Sequence, residues 1–167
     1  MKRWLVSATI ALLAAFALAT QAGAGQPEHI TDTNDCSGLA PCPGLSFGDA
    51  FSGHLDISGI TKLDKDGNPV TDVVHISGWE TNWRSDDPSV AYTLNRQFTI
   101  IYDYATDTEK DIGMVYSGNA PGIGLLFHDV GNISFNDSTG ENIYVHGPHD
   151  VFDLGDAAFC NALVAIS

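Results

Sequence analysis

Between Tyr92 and Tyr104 the chain alternates for thirteen residues. Tyr92, Leu94, Arg96, Phe98, Ile100, Tyr102 and Tyr104 share one parity, and Thr93, Asn95, Gln97, Thr99, Ile101 and Asp103 share the other. Successive side chains of a strand point to opposite faces, so this pattern commits the segment to β structure with one apolar, aromatic face and one wet face. A wet face belongs to antiparallel sheets, because parallel sheets are covered on both sides. Weaker alternation surrounds this segment. Phe47, Phe51, Leu55 and Ile57 fall on one face, although Asp49, Gly53 and Gly59 share their parity. Val70 to Trp83 predicts a second strand, with Val73, His75, Trp79 and Trp83 together. Ile112, Met114 and Tyr116 predict a hairpin partner for Tyr92–Tyr104, followed by strands over Leu125–Phe135 and Asn142–His146. Turn chemistry separates them at Lys65–Pro69, Asp86–Ser89, Ala105–Lys110, Gly118–Gly124 and Asp137–Glu141. Only Ala157–Ile166 reads as a helix, with Asp156 as its N-cap. The expected fold is all-β: a small antiparallel β-barrel with a short C-terminal helix, since closure removes exposed strand edges.

The first 24 residues carry a different signal. Lys2 and Arg3, an apolar run of about fifteen residues from Trp4 to Leu18, and Ala22-Gly23-Ala24 form the three parts of a secretory leader, with the mature start at Gly25. The run is shorter than the ~20 apolar residues a membrane span needs, so no membrane attachment is expected after cleavage. Residues 25–45, with Pro27, Pro41 and Pro43 and no periodicity, read as an irregular arm, and residues 46–167 as the single barrel domain. Against all 21 acidic residues, cleavage leaves the cations Lys62, Lys65, Arg84, Arg96 and Lys110, for a net charge of −16. That field repels phosphate backbones and anionic lipid, which excludes nucleic acid as a partner. Three cysteines in an oxidising compartment cannot all pair within one chain. A bridge from Cys160 to Cys36 or Cys42 closes the long loop, which constrains the unfolded chain more than a Cys36–Cys42 bridge.

Candidate site residues follow from the aromatic face. Trp79, Trp83, Arg96, Phe98, Tyr102 and Tyr116 are expected to line the barrel interior, where a small apolar molecule is the expected ligand. Arg96 is the one charge on that face, and Glu80 is its candidate partner. The competing readings are a barrel cyclase or isomerase steered by Arg96 and Glu80, and a structural or interaction protein with a filled core. No nucleophile elbow, phosphate loop or cofactor signature is present, so no cofactor is expected. A metal alternative uses His128, His146 and His149 with Asp129 or Asp150. The bland reading gives Gly147-Pro148 the role of a bend and leaves those histidines solvated or capping backbone groups.

Some segments resemble known proteins. Gly140-Glu141-Asn142-Ile143, Gly147-Pro148-His149-Asp150 and Phe159-Cys160-Asn161-Ala162-Leu163 resemble a group of secreted bacterial proteins of unknown function. Pro121-Gly122-Ile123-Gly124 with His128 and Asn132 is similar to one cupin motif, but His128 stands one residue too far from Gly124 and the companion His-x-His is absent. The strand spacing is similar to that of lipocalin-like and allene-oxide-cyclase-like barrels, including dirigent proteins. That likeness implies a barrel and carries over no catalytic residue.

Overall fold

The computed structural model describes residues 26–167, so the leader segment lies outside the described residues. Seven strands follow one another: β1 (Glu28–Pro41), β2 (Gly48–Leu63), β3 (Pro69–Arg84), β4 (Ala91–Asp103), β5 (Thr108–Ala120), β6 (Gly124–Asn136) and β7 (Asn142–His146). Two helices end the chain, α1 (Asp150–Leu154) and α2 (Ala157–Ala165). The strands form one antiparallel sheet in sequence order, a seven-stranded meander. The loops obey the turn chemistry. At Lys65–Pro69, for example, Asp64 Oδ1 accepts the backbone N–H groups of Asp66 and Asn68, both at 2.8 Å, while Gly67 takes φ +85°.

Three sequence expectations change. The arm at residues 25–45 holds a strand: β1 pairs with β2 from Glu28↔Thr61 to Pro41↔Gly48. An edge strand largely in water need not alternate, so its polar sequence hid it. Second, the sheet is not closed into a barrel, because β1 and β7 lie at opposite edges of the order and do not pair. β7 has five residues, and the chain beyond it turns into helices rather than an eighth strand. Third, α1 was not anticipated. Asp156 does stand at the start of α2, but its side chain makes no cap hydrogen bond.

One face of the sheet turns inward. Val74, Ile76, Tyr92, Leu94, Phe127 and Ile133 are buried on it. The nine-residue α2 contacts β2, β3, β4 and β6. In a flat sheet β2 and β6 would lie roughly 19 Å apart, at about 4.8 Å per strand spacing. The sheet therefore curves around the helix. Leu163, Ala158, Ala162 and Val151 from the helices pack with Tyr92, Leu94, Ala120 and Phe127 to make the main core, with edge-to-face aromatic contacts Tyr92–Phe127 and Phe127–Phe159. A disulfide joins Cys42, just after β1, to Cys160 on α2, with Cα atoms 5.6 Å apart. Cys36 is the free thiol. At the other side of the fold Gly131, at φ +142°, lets β6 approach the end of β7, since a Cβ there would collide with the His146 carbonyl.

Candidate functional site

The register decides which expected site residues meet. Gly78↔Arg96 and Ile76↔Phe98 are cross-strand pairs, so the even-numbered residues of β3 share the inner face with Arg96 and Phe98. Trp79 pairs with Asn95 and Trp83 with Ala91, which puts both tryptophans on the opposite, outer face. Of the six expected lining residues, Arg96, Phe98, Tyr102 and Tyr116 share the inner face, and Trp79 and Trp83 do not. Tyr116 reaches that face through a bulge. Gln97 pairs with Met114 and Asn95 with Ser117, so Val115 and Tyr116 together oppose Arg96. The extra residue reverses the parity set by Ile112 and Met114.

The bulge builds the central cluster. The Arg96 guanidinium lies 4.4 Å from the centroid of the Tyr116 ring, a cation–π geometry. Its Nη2 donates to Glu80 Oε2 at 3.3 Å. Glu80 Oε1 accepts from Asn82 Nδ2 at 3.0 Å, and the Cys36 thiol faces Glu80 Oε2 at 3.8 Å. Glu80 thus is the partner that the lone inward arginine required. Burial and the neighbouring Glu80 both raise the Cys36 thiol pKa, so Cys36 is a poor nucleophile. Beneath α2, burial first and then Glu80 and Asp156 push the Asp49 carboxyl up to about 7. The adjoining Tyr92 hydroxyl is buried without a hydrogen-bond partner among the described residues, and burial raises its pKa too.

The far end of the inner face is acidic. Asp72, Tyr102 and Glu109 stand in one row across β3, β4 and β5. Glu109 and Asp111 stand two residues apart on β5, and burial is the first cause that lifts them to about 8 and about 7, with the Asp111 charge next for Glu109. The two hydroxyls nearby are committed. Tyr102 donates to Asp107 Oδ1 at 2.6 Å in the β4–β5 turn, and Tyr104 donates to Asp72 Oδ2 at 2.8 Å.

Of the histidines named as a metal alternative, His149 is hydrogen-bonded through its ring, and His128 and His146 through their backbone. Asp129 accepts the Val151 and Phe152 N–H groups at 3.1 and 3.2 Å, capping α1, and Asp150 Oδ2 accepts the His128 N–H at 2.9 Å. His149 Nε2 donates to the His146 carbonyl at 3.1 Å. Among the described residues no group of three or more His, Cys, Asp or Glu side chains is placed to hold a metal.

Two depressions lie on the surface. One, of about 350 Å³, lies along Leu39, Cys42, Leu45 and Phe47 beside the β1–β2 loop. The other, of about 340 Å³, lies between Phe127 on β6 and Ala158 and Ala162 on α2. Neither touches Arg96, Phe98, Tyr102 or Tyr116.

The outer face carries the feature that the aromatic count obscured. Asp35, His54, Trp79 and Asn95 form one register row across β1 to β4. Trp79 is 48 % exposed. His54 Nδ1 lies 2.6 Å from Asp35 Oδ1 and its Nε2 3.4 Å from Asp56 Oδ1, and the hydrogen bond to Asp35 is the first cause raising its pKa. The parity of β3 could have signalled this, had Val74 and Ile76 been weighed above the tryptophans. No family model matches the chain, and no curated protein or solved structure matches it either.

Proposed function

We propose that this protein is a secreted, non-catalytic binding module with a structural interior and a working surface on the outer face of its sheet. The carrying observation is where the polar groups are spent. Inside, Glu80 accepts from both Arg96 and Asn82, with Arg96 Nε left unpartnered among the described residues, and Asp129 caps a helix. Outside, Trp79 and its polar row are uncovered. A cyclase would need Arg96 and Glu80 free to meet a substrate, whereas each is engaged by the other. The apolar-ligand reading has less support without the two tryptophans, because the remaining aromatics share their face with Asp72, Glu109 and Asp111. The disulfide favours an oxidising, extracellular compartment, and no described helix is long and apolar enough to cross a membrane.

Labelled protein added back to washed cells and matrix of the producing organism tests this reading. Saturable adsorption is expected, together with no saturable uptake of a fluorescent fatty acid. One-to-one uptake of the fatty acid without adsorption would reinstate an interior ligand.

A further inference from the structure

We infer that the outer face around Trp79 binds a neutral polysaccharide, an inference that rests on the binding-module reading above. The wet face of an antiparallel sheet is ordinarily polar, and most of this one is. What that does not account for is a half-exposed indole at its centre, flanked across the strands by His54 and Asn95 rather than by apolar side chains. Along β3 its same-face neighbours are Ser77 and Thr81, too short to screen the ring. About half of the residue stands in water.

A sugar ring has an apolar C–H face and an equatorial rim of hydroxyls. It needs a flat aromatic surface and, within one ring's width, fixed groups that both donate and accept hydrogen bonds. Neighbouring strands lie about 4.8 Å apart, so the His54 and Asn95 rows stand where the rim of a ring on Trp79 would fall. Asn95 brings an amide that donates and accepts. Both His54 nitrogens face carboxylates, Nδ1 that of Asp35 and Nε2 that of Asp56, so the ring serves to fix those two acceptors and little of their freedom remains to be lost on binding. Asp35 and Asp56 retain free carboxylate lone pairs for hydroxyl protons.

Charge selects among polysaccharides. The chain carries −14 overall, and no Lys or Arg stands among the cross-strand or same-face neighbours of Trp79 named here. Uronic-acid and sulfated polymers are repelled by that field, whereas a neutral chain is indifferent to it. A strip across four antiparallel strands also fits an extended polymer better than a single sugar.

Affinity electrophoresis of the full secreted chain tests the inference. The neutral probes are hydroxyethylcellulose, xyloglucan, galactomannan and a mixed-linkage β-glucan; alginate and dextran sulfate are the anionic ones. At least one neutral polymer is expected to retard the protein. Trp79→Ala should weaken the retardation about tenfold or more, as loss of a central aromatic anchor does, and Asn95→Ala should weaken it less. Trp83→Phe should leave it unchanged. Far-UV circular dichroism should show Trp79→Ala folded, since the side chain lies on the surface. Retardation by no neutral polymer, undiminished retardation of Trp79→Ala, or equal retardation by alginate overturns the inference. If adsorption to cells and matrix persists in those cases, the binding-module reading stands and its ligand is of another class. If adsorption is absent as well, both readings fall.

Discussion

The two ends of the inner face are built on opposite principles. At one end α2 presses Leu163 and Ala162 onto Tyr92, Leu94 and Phe127, and a disulfide holds it there. At the other end no described helix packs on the strands around Asp72, Glu109 and Asp111, and burial raises the Glu109 and Asp111 carboxyls there. The same sheet supplies both floors, so the difference comes from what covers them. Where a C-terminal helix exists to exclude water, the strands carry large apolar residues. Where none exists, polar groups are tolerated because neutralisation and partial hydration reduce the cost of burying them.

The largest expected effect removes the clamp from the covered end. Cys42 and Cys160 are 118 residues apart in sequence, and opening a loop of that size should lower stability by about 4–5 kcal/mol. The Cys42→Ser/Cys160→Ser double variant, in which Cys36 has no thiol left to exchange with, should show this as a lower urea midpoint. A loss under 1 kcal/mol would mean that packing alone seats α2. Next comes packing itself. Leu163 is fully buried, and Leu163→Ala should cost about 3–4 kcal/mol. Phe98→Leu, toward the acidic end and only half-buried, should cost far less. Equal losses would erase the contrast between the ends.

The smallest effect probes the acidic end through pH. Glu109, at about 8, and Asp111, at about 7, have folded-state pKa values above the unfolded range near 4. The folded chain therefore binds more protons than the unfolded one between those limits. The stability they supply is complete below about pH 4 and is lost as pH rises through 7 to 8. Asp49, raised to about 7, and His54, also raised, act with the same sign. The carboxyls of Asp64, Asp86, Asp87 and Asp107 are lowered and act in the opposite sense, at more acidic pH. The protein should be more stable at pH 6 than at pH 8, by an amount on the order of a few kcal/mol. Glu109→Gln/Asp111→Asn should remove more of that slope than Asp49→Asn. Stability that rises from pH 6 to pH 8 would show these carboxyls to be ionised in the fold.

Much of this architecture is legible in the sequence. The alternation from Tyr92 to Tyr104 locates β4, the turn residues locate the hairpins, and the lone inward Arg96 announces a carboxylate partner. The failures have physical causes. β1 has no apolar face to repeat, because its pairing rests on backbone hydrogen bonds at an edge. Tyr116 changes face at a bulge, which inserts a residue without altering composition. β3 is the instructive case. Its buried face carries Asp72, Glu80 and Asn82, while its outer face carries two tryptophans. Sorting by hydrophobicity therefore assigned that strand to the wrong side. Besides Val74 and Ile76, the pairing of Glu80 with Arg96 and of Asp72 with Tyr104 makes this side the inner one, and such partners lie sixteen or more residues away.

A meander bonded only between sequence neighbours would peel open strand by strand if its two ends were pulled apart. Here the Cys42–Cys160 bond diverts that tension. A force applied at the N-terminal edge and the C-terminus passes from residue 42 to residue 160 through sulfur, and β2 to β7 sit inside the covalent ring unloaded. Among the described residues β1 is the only strand left in the line of pull. Under mechanical load it would act as a short sacrificial tether, tearing away while the sheet behind it, with Trp79 on its surface, stays whole.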